Sequence, residues 1–421
     1  MARENRVDSI VILMSTVERL TALSAAAERE LREDILPFWA EQTVDLEQGG
    51  FYGWITNDLK IDRDAPKGCV LNARILWTFS AAFRTWPEPL YRETADRAYA
   101  YLLKHFWDEE HSGLVWTVDH KGDFLEARKQ TYGQAFGVYA FSEYFRATGS
   151  EESLEHAISL FKSIEAHAFE PPQGGEHGGY VEALARDWSP LEDMRLSPID
   201  LNVPYSQNTH LHLLEAYAAL LRAWPDPALR KRLEALWQIL AFRIRDEKTN
   251  HLILFQDRNW KPLSAALSYG HDIEASWLLL EAAEVLGDKE LIERTKAIAL
   301  AMAEMVLEDG FDHERGGVLD GVDHDMSVLG KEWWPQAEAV VGFLNAYELS
   351  GKDDFLEAAL ASWQFIDQFV IDHTYGEWYY RVSPEGQPEL ELPKVSPWKC
   401  PYHNARAALE TIERVQRLRK R

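Results

Sequence analysis

Ile273-Glu274-Ala275-Ser276-Trp277-Leu278-Leu279-Leu280-Glu281-Ala282-Ala283-Glu284-Val285-Leu286 is apolar on almost every side. A helix without a polar face is a buried helix. Stretches of the same kind recur at residues 73–83, 135–145, 211–221, 337–347 and 405–415, the last being the most polar. Ahead of each comes a short glycine-aromatic signal of the strand type. These are Gly49-Gly50-Phe51-Tyr52-Gly53-Trp54, Ser112-Gly113-Leu114-Val115-Trp116 and Gly178-Gly179-Tyr180-Val181-Glu182. Then come His251-Leu252-Ile253-Leu254-Phe255, Gly316-Gly317-Val318-Leu319 and Gly376-Glu377-Trp378-Tyr379-Tyr380. Their starts are about 60 to 73 positions apart, a period that marks a repeat architecture. Before each signal runs a charged, amphipathic helical pattern such as 90–107 or 291–307. The unit is therefore outer helix, hairpin, inner helix, repeated six times. The expected fold is all-α: an (α/α)6 barrel of six outer and six inner helices, with short β-hairpins at one end. An open solenoid is the alternative.

The bulk numbers fit one large domain. The chain has 421 residues, of which 46% are hydrophobic, and no low-complexity linker divides it. One barrel domain over 18–421 is expected, after an N-terminal tail over 1–17. A net charge of −25 argues against nucleic acid and anionic membrane as partners, since both need a basic face. No stretch approaches the ~20 apolar residues of a membrane span. The apolar run at 10–14 is too short for a signal-peptide core. Two cysteines, Cys69 and Cys400, give no disulfide framework and suit a reducing cytoplasm. Sixteen tryptophans exceed what core filling needs, and part of them suit sugar stacking.

Each unit enters its inner helix from the hairpin side, so six helix N-termini should meet at one mouth. The polar residues there are Asn72 and Arg74, Tyr132, Asn208 and His210, His271 and Glu274, Trp333, Trp334 and Glu338, and His403, with Trp398 just before it. The partial positive charge of a helix N-terminus disfavours imidazolium and keeps histidine neutral, the form that takes a proton. Of the pair His210 and His212, some 200° apart on a helix, only one can face the pocket; His210, nearer the start, is the expected one. Arg74 needs an anion or a carboxylate partner, Glu274 or Glu338 being the candidates. Glu274, one turn after His271, is expected to orient that ring. Asn208, Thr209 and Asp272 suit helix caps. No His-Glu-x-x-His pattern, cysteine cluster or glycine-rich nucleotide loop is present, so neither metal nor cofactor is expected.

The motifs Gly49-Gly50-Phe51, Leu71-Asn72-Ala73-Arg74-Ile75-Leu76-Trp77, Asn208-Thr209-His210-Leu211-His212, Gly270-His271-Asp272-Ile273-Glu274-Ala275-Ser276-Trp277, Trp333-Trp334-Pro335-Gln336-Ala337-Glu338 and Trp398-Lys399-Cys400-Pro401-Tyr402-His403-Asn404 together resemble the N-acylglucosamine 2-epimerase family, and within it the cellobiose 2-epimerase branch. The likeness runs from about Leu31 to Arg414. It implies an (α/α)6 barrel that inverts C2 of the reducing-end glucose of a β-1,4-linked disaccharide. It implies His271 and His403 as the acid/base pair, with Arg74 and His210 holding the reacting end. Trp333, Trp334 and Trp398 become sugar contacts, and Tyr132, Asn208, Glu274 and Glu338 polar contacts. Cys400 departs from the family pattern of glycine, a change expected to touch the turn before His403 rather than the chemistry. A monomer or weak homodimer is expected.

The chemistry so implied is ring opening, removal of the C2 proton, an enediolate, and proton return on the other face. Other readings stay open: an N-acylglucosamine or mannobiose 2-epimerase, or a mannose isomerase that returns the proton to C1. A glycoside hydrolase of the same fold would use two carboxylates, with Glu274 and Glu338 as the candidates. A binding barrel would yield no product.

Overall fold

The structure is a computed structural model that describes residues 15–172, 178–323 and 326–420. The run at 10–14 and the rest of the expected tail up to residue 14 lie outside the described residues. The first helix starts at Thr16, within the expected tail, because Ser15 and Glu18 form a reciprocal cap. Ser15 N–H donates to the Glu18 carboxylate at 2.7 Å, and Glu18 N–H donates to Ser15 Oγ.

The six inner helices are Cys69–Thr85, Thr131–Thr148, Gln207–Ala223, Tyr269–Leu286, Trp333–Ser350 and Tyr402–Leu418. Each packs on the next, and the sixth returns to the first, so the ring is closed. In the first of them every residue from Cys69 to Ala82 is buried. Around them stand the outer helices Thr16–Glu30, Pro89–Tyr101, Glu151–Ser163, Pro227–Ile239, Lys289–Asp309 and Asp353–Phe365. All but Lys289–Asp309 run into a single π-helical turn, such as Leu102–Phe106 or Leu240–Ile244. Thr16–Glu30, the first in the chain, packs on the last inner helix and seals the seam.

The six glycine-aromatic signals all form the same bridge back to the end of the preceding outer helix. The antiparallel pairs are Val44–Phe51, Trp107–Leu114, Phe169–Tyr180, Arg245–Leu252, Phe311–Val318 and Ile371–Trp378. A second set of pairs joins neighbouring units. Lys67 pairs with Val118, Lys129 with Leu184, Tyr205 with Gln256, Leu267 with Val322, Lys331 with Val382, and Val395 closes the circle on Ile55. The hairpins are thus a ring as well, more connected than isolated hairpins. Buried lysines pin it: Lys67 Nζ lies 2.8 Å from Asp45, and Lys129, Lys331 and Lys394 repeat the pairing with Asp108, Asp312 and Asp372. Breaking such a buried pair by removing one partner costs about 3–5 kcal/mol.

In the second to fifth inner helices the fourth residue reaches back to its own hairpin. Gln134 accepts from Leu114 N–H and donates to the Leu114 carbonyl, and Gln336 does the same at Val318. Asp272 accepts from Leu252 N–H at 2.8 Å and from the His251 ring. His210 stands at this position in the third unit and accepts from Tyr180 N–H at 3.1 Å. Asp272 is therefore a hairpin tie and not a cap. The caps of these two helices are Ser206 and Ser268, which accept from Thr209 and His271 N–H.

Candidate active site

With all six inner helices starting at the strand end, two layers of side chains project into that mouth. The sixth residues of the first five helices are Arg74, Phe136, His212, Glu274 and Glu338. Counted from its cap Pro401, the last helix adds Arg406 to this layer and places His403 third, level with His271. Above it lies a cavity of about 400 Å³, lined by Arg74, Tyr132, Asn208, His212, His271, Glu274, Trp333, Trp334, Trp398 and His403. Tyr380, Glu332 and the loop 196–200 complete the wall. The size suits a small-molecule site. A bowl of about 620 Å³ at the other end of the barrel holds arginines and glutamates in pairs such as Arg84–Glu143 and Arg222–Glu281.

His271 and His403 pack against the same indole. Their ring centres lie 4.6 and 5.5 Å from that of Trp334. His403 Nδ1 is 2.7 Å from Glu338 Oε1, which fixes the proton on Nδ1 and leaves Nε2 as the bare nitrogen. His271 Nδ1 is instead 2.8 Å from Ser268 Oγ, a hydroxyl that can donate or accept. Burial first, then repulsion from His212 and Arg74, pushes His271 down to about 3. Burial, with Arg74 and Arg406 adding repulsion, holds His403 well below the ordinary imidazole range. Both rings are neutral at neutral pH.

Arg74 is buried, and no described carboxylate pairs with it. One Nη donates to Tyr132 Oη at 2.8 Å, another approaches Cys400 Sγ at 3.6 Å, and Nε has no partner among the described residues. Its guanidinium carbon lies 4.3 Å from the Phe136 ring centre and 4.9 Å from that of Tyr402. Such a cation is suited to receive an anion that forms inside the cavity. The structural alternative for Arg74, an ion pair with Glu274 or Glu338, is thus not formed, because Arg406 takes both carboxylates. One Arg406 nitrogen lies 2.5 Å from Glu274 and 2.6 Å from Glu338; the other donates to Glu215 and to Tyr402 Oη. Burial first, then the neighbouring Glu338, raises Glu274 to about 8 against the pull of Arg406. Ligand atoms of Glu274, Glu338 and His403 lie within 4.8 Å of one another, and Arg406 brings the positive charge to that cluster.

Four expectations change. His210 does not line the cavity: its Nδ1 bonds the Ser206 carbonyl at 2.7 Å and its Nε2 accepts from Tyr180 N–H, so both nitrogens are spent on the hairpin. His212 faces the cavity instead, with Nδ1 3.0 Å from Glu215 and burial pushing it down to about 4. Glu338 stands behind His403 and outside the cavity lining, where it also accepts from Trp277 Nε1–H at 3.1 Å. Glu274 lines the cavity but orients Arg406 rather than His271, whose Nδ1 belongs to Ser268. Cys400 reaches Arg74 and so touches the site itself. Arg406 and Glu215 were not singled out from the sequence. The His212-x-x-Glu215 spacing on one helix was the available signal for the second.

Residues 50–407 match the N-acylglucosamine 2-epimerase (GlcNAc 2-epimerase) family. The chain is 42% identical to the cellobiose 2-epimerase of Bacteroides fragilis, over 93% of this chain and 98% of that protein. It is 40% identical to that of Dictyoglomus turgidum, over 94% and 100%. The solved cellobiose 2-epimerase of Spirochaeta thermophila superposes with a TM-score of 0.89 at 38% identity, over 96% and 100%. With the barrel, its ring of hairpins and the two-histidine cavity, these matches show that the chain belongs to the N-acylglucosamine 2-epimerase family.

Proposed function

We propose that the chain is a cellobiose 2-epimerase, an isomerase that reversibly inverts C2 of the reducing-end glucose of β-1,4-linked disaccharides. The observation that carries this reading is that His271 and His403 line one cavity against one indole, with unpaired Arg74 beside them. Inversion needs a proton taken from one face of C2 and another delivered to the opposite face. That calls for two acid/base groups, each worth ~10²–10⁴-fold.

In the open-chain aldehyde, the C2 proton is acidic because its electron pair can delocalise onto O1. One histidine Nε2 takes the proton, and the C2 pair forms the enediolate, with negative charge on O1. Arg74 stabilises that charge, an effect of about 3–4 kcal/mol for a preorganised donor. The opposite histidine then gives its proton to C2. His212 and Tyr132 hold the reacting end and assist ring opening, a part that His210 is not free to play. Trp333, Trp334 and Trp398 provide stacking faces, and the second sugar lies toward the loop 196–200. Glu274 and Glu338 share one nitrogen of Arg406, which does not suit two carboxylates flanking a scissile bond.

No helix among the described residues is long and apolar enough to cross a membrane. A cytoplasmic location accords with two free, buried cysteines, and we read the chain as a monomer or weak homodimer. Incubation with cellobiose, lactose, mannobiose, glucose and N-acetylglucosamine in D2O tests the proposal. Glucosyl-mannose carrying deuterium at C2 is the expected product from cellobiose. A ketose as main product, release of monosaccharide, or product without solvent deuterium would each defeat it.

A further inference from the structure

His271 forms part of the wall between two cavities. On one side is the substrate cavity; on the other is a chamber of about 210 Å³, lined by Glu182, Gln207, Asn208 and Ser268 as well as His271. The chamber is far larger than the ~10–15 Å³ that one water requires. It is also polar. Gln207 Oε1 and Asn208 Oδ1 are buried there and find no hydrogen-bond partner among the described residues. Buried oxygens of this kind are satisfied by ordered water. Glu182 is 3% exposed and accepts from Ser206 N–H at 2.9 Å and from Thr209 Oγ1 at 2.7 Å. Burial raises its carboxyl to about 7, so it can exchange protons near neutrality. Ser268 Oγ, 2.8 Å from His271 Nδ1, lines the same chamber.

His403 is served differently among the described residues. Its Nδ1 meets Glu338, and Glu338 is enclosed by Arg406 and Trp277. None of these three partners lines the chamber.

We propose that this chamber is a water-filled proton relay, with Ser268 as the positioning residue through which His271, and not His403, exchanges protons with solvent during turnover. The inference rests on the C2-epimerase reading. When His271 Nε2 gives its proton to C2, the enediolate electron pair forms the C2–H bond. Nδ1 takes the Ser268 hydroxyl proton in the same step, and Ser268 is reprotonated by chamber water, with Glu182 as the local buffer. The imidazole remains neutral throughout and simply changes tautomer. When His271 acts as base, every transfer runs backwards. His403 instead becomes imidazolium against the Glu338 carboxylate and loses its proton through the substrate cavity. The chamber thus differentiates two histidines that otherwise occupy like places on their helices.

The test uses the full chain with cellobiose and, separately, glucosyl-mannose, in D2O. Epimer formation and deuterium gain at C2 of the recovered substrate are both followed in the wild type, Ser268→Ala and Ser268→Thr. In Ser268→Ala, epimer formation should fall by ~10-fold or more. For the epimer deprotonated by His403, exchange into recovered substrate should continue near the wild-type rate. For the epimer deprotonated by His271, exchange should fall with turnover. Ser268→Thr, which keeps both the hydroxyl and the cap, should restore both. If formation and exchange fall together for both epimers, or if neither falls, the relay is overturned. If the wild type gains no deuterium at C2 of either sugar, the C2-epimerase reading fails first, and the relay with it.

Discussion

His403 Nδ1 and Glu338 Oε1 stand 2.7 Å apart, with both side chains buried. The carboxylate holds the ring in the Nδ1–H tautomer and stabilises the imidazolium formed when Nε2 takes a proton. Glu338→Gln keeps the shape but removes the charge. The expected result is a kcat lower by ~10²-fold or more with little change in KM. Steady-state kinetics on cellobiose checks this; a KM effect alone would show that Glu338 does not act through His403.

His210 and His212 should separate cleanly. His212→Asn should lose most activity while its unfolding temperature stays near that of the wild type. His210→Ala strands the Ser206 carbonyl and Tyr180 N–H, each costing about 1–3 kcal/mol. Thermal unfolding should therefore register His210→Ala strongly. Kinetics and calorimetry on the two variants would exchange their outcomes if His210 were the ring in contact with sugar.

Arg74 and Arg406 are both buried arginines, yet their loss should read differently. Arg74 has no carboxylate partner among the described residues, so Arg74→Met should fold normally and lose about 3–4 kcal/mol of transition-state stabilisation. Arg406 is bonded to Glu215, Glu274 and Glu338. Arg406→Met leaves buried carboxylates unpaired and should cost about 3–5 kcal/mol of folding stability. Denaturant unfolding of each variant, alongside kcat, measures the contrast.

The pH dependence has a definite sign. His271 and His212 are lowered to about 3 and 4, below the ordinary 6.5. Between those values the unfolded chain binds more protons, so these residues add stability that is lost as pH falls below about 6.5. Glu182 and Glu274 are raised to about 7 and 8, above the ordinary 4.5. Their contribution is full below about 4.5 and is lost as pH rises from there through about 7 to 8. Unfolding measured across pH should give a maximum near the crossover. The acid limb of kcat/KM should lie well below 6.5; a limb at 6.5 would mean that the histidines are solvated and not buried.

The barrel was legible in the sequence because it is written in periodicity. Apolar-all-round stretches such as 273–286 can be satisfied only by burial, and the six Gly-aromatic signals recur at one place in each unit. The end at which the polar residues gather was legible for the same reason: the hairpin side fixes which helix ends converge. Partnership was a different matter. Arg74 and Arg406 are two cations among three carboxylates, Glu215, Glu274 and Glu338, on neighbouring helices, and only the side-chain directions in a closed ring decide that Arg406 takes all three and leaves Arg74 without one among the described residues. The repeat did carry one clue to His210. It is the fourth residue of its helix, as are the hairpin ties Gln134, Asp272 and Gln336, while His212 is sixth, as are Arg74 and Glu274. Sequence alone determined the helices and the end at which they gather, since burial and local turn chemistry act along the chain. Which nitrogen meets which oxygen depends on the approach of residues more than a hundred positions apart, as in Arg406–Glu274, and only the tertiary structure settles that.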